Sequence, residues 1–333
     1  MDTLLTISGS PHVHSNQSVR KIMYSVFYAM IPAMLVSFYF FGLDAVRVMA
    51  ISVTACVLVE YVIQRYLIKG DLTINDGSAI VTGVLLAFNV PTSLPTFIII
   101  IGAIVAIGIA KMAFGGIGKN PFNPALVGRV FLLISFPVQM TSWPIPVPKF
   151  PTALADVITG PTPLGILKEG VGAGQTVQQL MGELPSYFDL MIGNQGGSMG
   201  EMSAIALLLG AAFLFFRKVI TWHIPVAYLV SAIGFAAIMW AIDPTHYANP
   251  LFHLVTGGLI LGIFFMATDM VSSPMSSKGM LIYGVGCGLI TMLIRFWGGY
   301  PEGVSFAILI MNAFAPLINT TFKPKRFGLI KTM

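Results

Sequence analysis

The sequence predicts an all-α polytopic membrane protein. It expects about ten transmembrane helices, arranged as two inverted five-helix repeats with some helices broken. Three observations carry this expectation. Of 333 residues, 56% are hydrophobic and only 9% are charged, against roughly 25% charged in an average soluble domain. Apolar segments recur along the chain at lengths approaching the roughly 20 helical residues that cross a bilayer. Finally, the run Val81-Thr82-Gly83 returns as Val255-Thr256-Gly257.

With a mean hydropathy of +0.85, the chain has more apolar surface than a soluble core could hide, so lipid must solvate it. The 34 glycines and 21 prolines suit close helix contacts and interrupted helices. A net charge of +5 points to cytoplasmic loops of a membrane protein and not to a nucleic-acid partner. Cys56 and Cys287 lie in apolar runs without CxxC spacing, which makes them packing residues. His12, His14, His223, His246 and His253 are scattered without metal-ligand spacing. No hydrolase triad is legible, and the first twenty residues show no apolar run of a cleaved signal.

In chain order, residues 1–21 read as a cytoplasmic lead-in. The first membrane repeat spans 22–138, with segments Met23–Gly42, Ala45–Ile68, a short Gly77–Val90, Thr96–Phe114 and Phe122–Val138. A polar interval at 139–200 follows. The second repeat spans 201–322, with Met202–Phe216, His223–Ile242, Leu251–Met270, Met280–Trp297 and Val304–Phe322, before a cytoplasmic tail at 323–333. Lys and Arg concentrate at alternate ends of these segments. That bias places both termini in the cytoplasm and the 139–200 interval on the extracytoplasmic side.

The repeat is more than the Val-Thr-Gly run. Each copy continues to a proline, Pro91 or Pro274. Each is followed by a basic residue and a glycine pair: Lys111 with Gly115-Gly116, and Arg295 with Gly298-Gly299. Five crossings per copy is an odd number, so the second copy must be inverted. Inverted repeats with broken helices gather binding sites near their pseudo-symmetry axis.

Three places could carry chemistry. In Thr159-Gly160-Pro161-Thr162-Pro163, the Gly-Pro pair forces a turn that presents a hydroxyl outward. In Gly115–Pro124 the glycines permit irregular backbone, and Asn120 and Asn123 offer paired donors and acceptors suited to a heterocyclic ring. The spacing excludes a phosphate-binding P-loop. Glu60, Asp76 and Asp269 are carboxylates in or beside apolar runs. Charges there are costly and are paired or functional, which makes these three the candidates for an ion route.

Ser10-Pro11-His12, the Gly-Lys-Asn-Pro-Phe-Asn-Pro-Ala run at 118–125 and the stretch 136–143 belong to one pattern. So do Asp156 with Thr159–Leu164, Ala267-Thr268-Asp269, and Gly298–Gly303. Together they give the chain a resemblance to the D-subunit family of the Rnf complex, the membrane-bound ferredoxin:NAD oxidoreductase. More distantly it is similar to the B subunit of the sodium-pumping NADH:quinone reductase. The resemblance implies FMN joined through its phosphate to Thr162, with Thr159 as the fallback and Asp156 beside it. It also implies a non-covalent riboflavin among the helices, which we expect near Thr82, Gly83, Asn120, Asn123, Pro124 and Asp269. It implies an electron-carrying subunit of a sodium- or proton-translocating pump in the bacterial inner membrane. The implied partners are the A, B, C, E and G subunits of that complex and, during maturation, a flavin transferase. The alternative from the residues alone is a secondary transporter or channel with an inverted-repeat fold and no flavin.

Overall fold

The computed structural model describes residues 17–70, 72–146 and 159–323. Residues 1–16 of the expected 1–21 lead-in, Asp156, and the tail after Lys323 lie outside the described residues. The chain is a helical membrane protein, as its composition requires. Its only strands among the described residues are a two-residue antiparallel ladder, β1 (Trp143–Pro144) with β2 (Thr159–Gly160), pairing Trp143 with Gly160.

The first helix, α1 (Val19–Val62), runs on into a π-helical turn at Ile63–Ile68. It is broken once, at Gly42, whose φ of 60° and ψ of −138° no helix contains. The chain reverses there. Met23 and Tyr24 lie against Gly77, while Lys111 joins Glu60 to Ser78, the neighbour of Gly77. An unbroken helix would hold residues 23 and 60 more than about 50 Å apart at 1.5 Å per residue. Gly42 thus makes two crossings out of what looks like one helix, as the separate segments in the sequence anticipate.

Among the described residues, four further stretches are long and apolar enough to cross a membrane. They are α3 (Thr96–Ala103), continued by a π-helical turn at Ile104–Ile109 and a 3-10 turn at Met112–Phe114, α10 (His223–Ile242), α13 (Ser277–Trp297) and α14 (Val304–Thr321). Three apolar helices are shorter: α2 (Ser78–Phe88), α4 (Pro124–Ser135) and α9 (Ala204–Phe216). The expected crossing at Leu251–Met270 is broken into α11 (Pro250–Val255), α12 (Leu259–Leu261) and a π-helical turn at Gly262–Met266. Gly257 and Gly258 make the break, both at positive φ.

Between α4 and α9 the chain forms α5 (Pro137–Thr141), α6 (Pro163–Gly172), α7 (Val177–Glu183) and α8 (Tyr187–Ile192). Leu164, Leu167, Leu180 and Leu190 build a small core there, which packs on Ala248 and Phe252 beside and within α11. Lys168 is tied to the carbonyls of Ile294 and Tyr300, and its partial burial lowers its pKa.

The two repeat copies diverge in backbone. In the first, Thr82 donates to the Ser78 carbonyl and Gly83 stays helical inside α2. In the second, Thr256 donates to the Phe252 carbonyl, but the helix then stops. Lys111 reaches the start of α2, whereas Arg295 reaches the carbonyls of Thr256 and Gly257 at the end of α11. Gly257 lies beside Leu164 of α6, so the two basic residues sit at opposite ends of the bundle.

Close packing holds α10 to α13. A Cβ at Gly288 would stand 2.7 Å from the Tyr228 carbonyl oxygen, and one at Gly284 would stand 2.7 Å from Ala227 Cβ. Small residues allow such backbone approach in membranes. Gly288→Leu should therefore lower the melting temperature of the detergent-purified protein sharply. Gly234→Ala, where an added methyl meets nothing, should leave it unchanged or raise it slightly.

Candidate functional site: a cleft between the two halves

Motif residues from both halves of the chain meet around one cleft, at the end of the bundle where α2 begins and the Gly262–Met266 turn finishes. It is a partly open cleft with about 90 Å³ of interior space. Its apolar wall comes from Met23 and Val26 of α1, Val81 and Leu85 of α2, and Phe264 and Phe265. Its polar groups are Ser78, Thr82, Lys111, Asn120, Asn123, Thr268 and Asp269.

Each polar group is fixed by its own local structure. Asn123 is the N-cap of α4: its Oδ1 accepts from Ala125 and Leu126 N–H at 3.1 and 3.4 Å, and Pro124 opens the helix. Its Nδ2 donates to the Met266 carbonyl at 3.3 Å and so ties the first half of the chain to the second. Asn120 turns its Nδ2 to the Phe122 carbonyl at 3.0 Å. Asp269 accepts from Ser272 Oγ at 2.8 Å and from Val271 N–H at 3.4 Å.

Beneath the cleft lies a buried ion pair. Lys111 Nζ stands 2.6 Å from Glu60 Oε2 and 2.6 Å from Ser78 Oγ. Glu60 Oε1 accepts from Gln64, which is held in turn by Thr73. Asp76 accepts from the N–H and hydroxyl of Ser78. Lys111 and Glu60 are 2% and 1% exposed, so neither charge is solvated and the pair must neutralise itself. Glu60, Asp76 and Asp269 therefore converge on one end of the bundle, each with a structural partner.

The structure brings Thr82, Asn120, Asn123, Pro124 and Asp269 into this cleft and leaves Gly83 out. Gly83 faces the other way, where an added Cβ would lie 2.7 Å from Val53 Cα, and Ser52 donates to its carbonyl at 2.7 Å. It is a helix-packing residue. Lys111 is a wall residue that the sequence singles out only as the basic residue of the first repeat copy, without its role in the cleft. The available signal is a lysine ending one apolar run and a glutamate ending another.

At the opposite end, Thr162 differs from the outward-facing hydroxyl that the turn suggests. It is the N-cap of α6, its Oγ1 accepts from Gly165 N–H at 3.1 Å, and it is 5% exposed. The Pro163 that follows starts a helix, and a helix start needs its cap. Thr159, on β2, is exposed.

Removing one partner of the Lys111–Glu60 pair leaves a buried charge alone, which costs on the order of 3–5 kcal/mol. Lys111→Met should destabilise the folded protein by about that much in detergent. Adding Glu60→Gln to it should recover part of the loss, read as melting temperature in a double-mutant cycle.

The family described as NQR2, RnfD, RnfE matches residues 6–328. The chain is 46% identical over 330 residues to the D subunit of the Na(+)-translocating ferredoxin:NAD(+) oxidoreductase complex of Acetobacterium woodii, covering 98% of this chain and 96% of that one. It is 43% identical over 328 residues to the D subunit of the proton-translocating ferredoxin:NAD(+) oxidoreductase complex of Clostridium ljungdahlii, with 98% and 96% covered. It is 38% identical over 327 residues to the D subunit of the ion-translocating oxidoreductase complex of Stutzerimonas stutzeri, with 93% and 92% covered. By the extent of these matches and by the motif residues that line its cleft, the chain belongs to the NQR2, RnfD, RnfE family.

Proposed function

We propose that this protein is the flavin-carrying D subunit of an ion-translocating ferredoxin:NAD oxidoreductase complex in the bacterial cytoplasmic membrane. In this reading it carries FMN covalently on Thr162 at the extracytoplasmic end and riboflavin in the cleft at the cytoplasmic end. The observation that supports it best is the convergence of Thr82, Asn120, Asn123 and Asp269 on one cleft in a chain of this family. A secondary transporter would need a site at the midplane that opens alternately to both sides. The cleft instead opens at one end, and a buried ion pair lies below it.

The residues present fit a flavin. Met23, Val26, Val81, Leu85, Phe264 and Phe265 would enclose an aromatic ring system and exclude water from it. Thr82, Asn120 and Thr268 have acceptor capacity left after their own bonds, which suits hydroxyls and ring N–H groups. Asn123 holds the wall in register, bonded to the Met266 carbonyl. Lys111 adds a cation at the cleft floor and Asp269 a carboxylate at its rim. The flavins, when bound, supply the one- and two-electron chemistry. The chain supplies position, dryness and charge.

At the other end, Thr162 places its oxygen at the N-terminus of the ten-residue α6, where an anion is favoured. Esterification there replaces the bond from Gly165 N–H, and burial means that the transferase must act before this turn closes. Moving an elementary charge across 100 mV corresponds to roughly 2.3 kcal/mol, so electron passage across the bilayer calls for a compensating cation. Glu60, Asp76 and Asp269 are the carboxylates at the cleft end, and Asp269 lies in its wall.

Mass spectrometry of the matured protein should find one flavin mononucleotide on Thr162, while Thr162→Ala should lose only that flavin. A flavin on Thr159 instead, or none on this segment, would sink the assignment. Val26→Trp, which fills the cleft, should release the non-covalent flavin and leave the covalent one in place. If both flavins stay at wild-type stoichiometry, the cleft is not the site.

A further inference from the structure

Behind the cleft, α14 carries a fully buried amide, Asn312, among Ile308, Met311, Ala315 and Ile318 of the same helix. Leucine has the same branched outline and would fill the space at no polar cost. Burying an amide is unfavourable unless its atoms find partners, so the bonds of Asn312 tell what it holds. Its surroundings fix which way the amide points. One side meets the carbonyls of Ser272 and Ile308, at 3.2 and 3.3 Å, which need a donor and so take the nitrogen. The other meets the N–H of Asn123 at 3.1 Å, which needs an acceptor and so takes the oxygen. The Tyr283 hydroxyl of α13, 2.6 Å from that nitrogen, completes the set.

These bonds converge on one piece of chain, residues 266–272, which carries Thr268 and Asp269 into the cleft. At its start, the Met266 carbonyl accepts from Asn123 Nδ2 at 3.3 Å. At its end, the Ser272 carbonyl accepts from Asn312, and the Ser272 hydroxyl donates to Asp269 Oδ2 at 2.8 Å. Just beyond, the Met275 N–H donates at 3.0 Å to Asn319 Oδ1, farther along α14. The turn bearing Asp269 is thus held in front by Asn123 and behind by α14. Asn312 joins the two holds, because it bonds Asn123 as well as Ser272.

We propose that Asn312 is a positioning residue for the cleft. It does not line the cleft, yet it fixes the spacing between Asn123 and Asp269, the polar groups that the two halves of the chain present to an occupant. A planar ligand with polar edges is held in one orientation only when those groups stay at a set separation. Without Asn312 the Ser272 carbonyl and the Asn123 N–H lose their shared partner, and the Asp269 turn is left tied to α4 through Met266 alone. The proposal rests on the reading of the cleft as the non-covalent flavin site.

The test is riboflavin binding to the full-length protein, purified and stripped of non-covalent flavin, at a temperature where every variant is folded. Quenching of riboflavin fluorescence gives the affinity. Asn312→Leu should weaken binding by about tenfold, the scale of one or two lost hydrogen bonds, and shift the visible band of the riboflavin that still binds. Asn312→Asp separates positioning from packing. Protonated, its carboxyl offers an O–H to the Ser272 carbonyl and an oxygen to the Asn123 N–H, as the amide does; ionised, it only accepts. Its affinity should match wild type in mildly acidic buffer and fall toward that of Asn312→Leu in alkaline buffer. Wild type in the same buffers corrects for titration of Asp269, Tyr283 and the Lys111–Glu60 pair. Tyr228→Phe, which breaks the hydroxyl bond to Thr291 between α10 and α13, should lower the melting temperature and leave riboflavin affinity unchanged. Val26→Trp is the control for the site. If Val26→Trp binds riboflavin as wild type does, the cleft reading falls and takes this proposal with it. Suppose instead that Val26→Trp fails to bind. Wild-type affinity and spectrum in Asn312→Leu, no pH dependence in Asn312→Asp, or equal weakening by Tyr228→Phe would then each overturn the proposal and leave the cleft reading standing.

Discussion

The structure depends on one constraint, that backbone ends freed by broken helices must find partners inside the protein, because lipid offers none. Three of the crossings are helices of 11, 12 and 13 residues, too short to span alone. Their ends therefore stop within the bundle and are capped there. Asn123 caps α4, Ser203 caps α9, and Asp76 bonds the N–H of Ser78 where α2 begins. The α2 end, the turn at Met199–Glu201 and α12 close on one another, with Gly200 fitted between Phe88 and Leu261. Such ends carry concentrated polar groups in an apolar setting, and they are where a cofactor can be held or a charge can sit.

That logic links the two ends of the molecule. At one end, the caps of α2 and α4 and the turn after the Gly262–Met266 π-helix create the cleft and seat the Lys111–Glu60 pair under it. At the other, the break at Gly257–Gly258 frees carbonyls that Arg295 satisfies, and the segment before α9 buries Glu201, which accepts from Ser198. Each half of the repeat thus presents a basic side chain to a helix interruption. The partners differ, carboxylate and hydroxyl in one case and carbonyls in the other, because only the second copy breaks its helix inside the Val-Thr-Gly run.

Much of this is legible in the sequence. Hydropathy places the crossings within a few residues, since lipid exposure imposes the same apolar demand along each segment. The break at Gly42 is legible as the end of a segment. The Asn-Pro pairs at 120–124 mark the cleft because Asn before Pro is both a helix cap and a polar edge. What pattern does not reveal is direction. Gly83 and Thr82 are adjacent in sequence but face opposite sides of α2, one toward Val53 and the other toward the cleft. Thr162 sits in a turn by composition, yet Pro163 starts a helix that draws its hydroxyl inward as a cap. The Arg129–Glu302 ion pair joins residues far apart in the chain and has no local signature at all.

The identity of the translocated ion does not follow from overall similarity. Relatives at 46% and 43% identity over almost the whole chain are named for sodium and for protons, respectively. A difference between two monovalent cations needs only a few oxygen ligands or one shifted carboxyl, and these can change while the helix scaffold stays constant. The carboxylates at the cleft end are bound to a lysine, a serine and a turn of backbone, and these partners leave them poorly suited to coordinating sodium unaided.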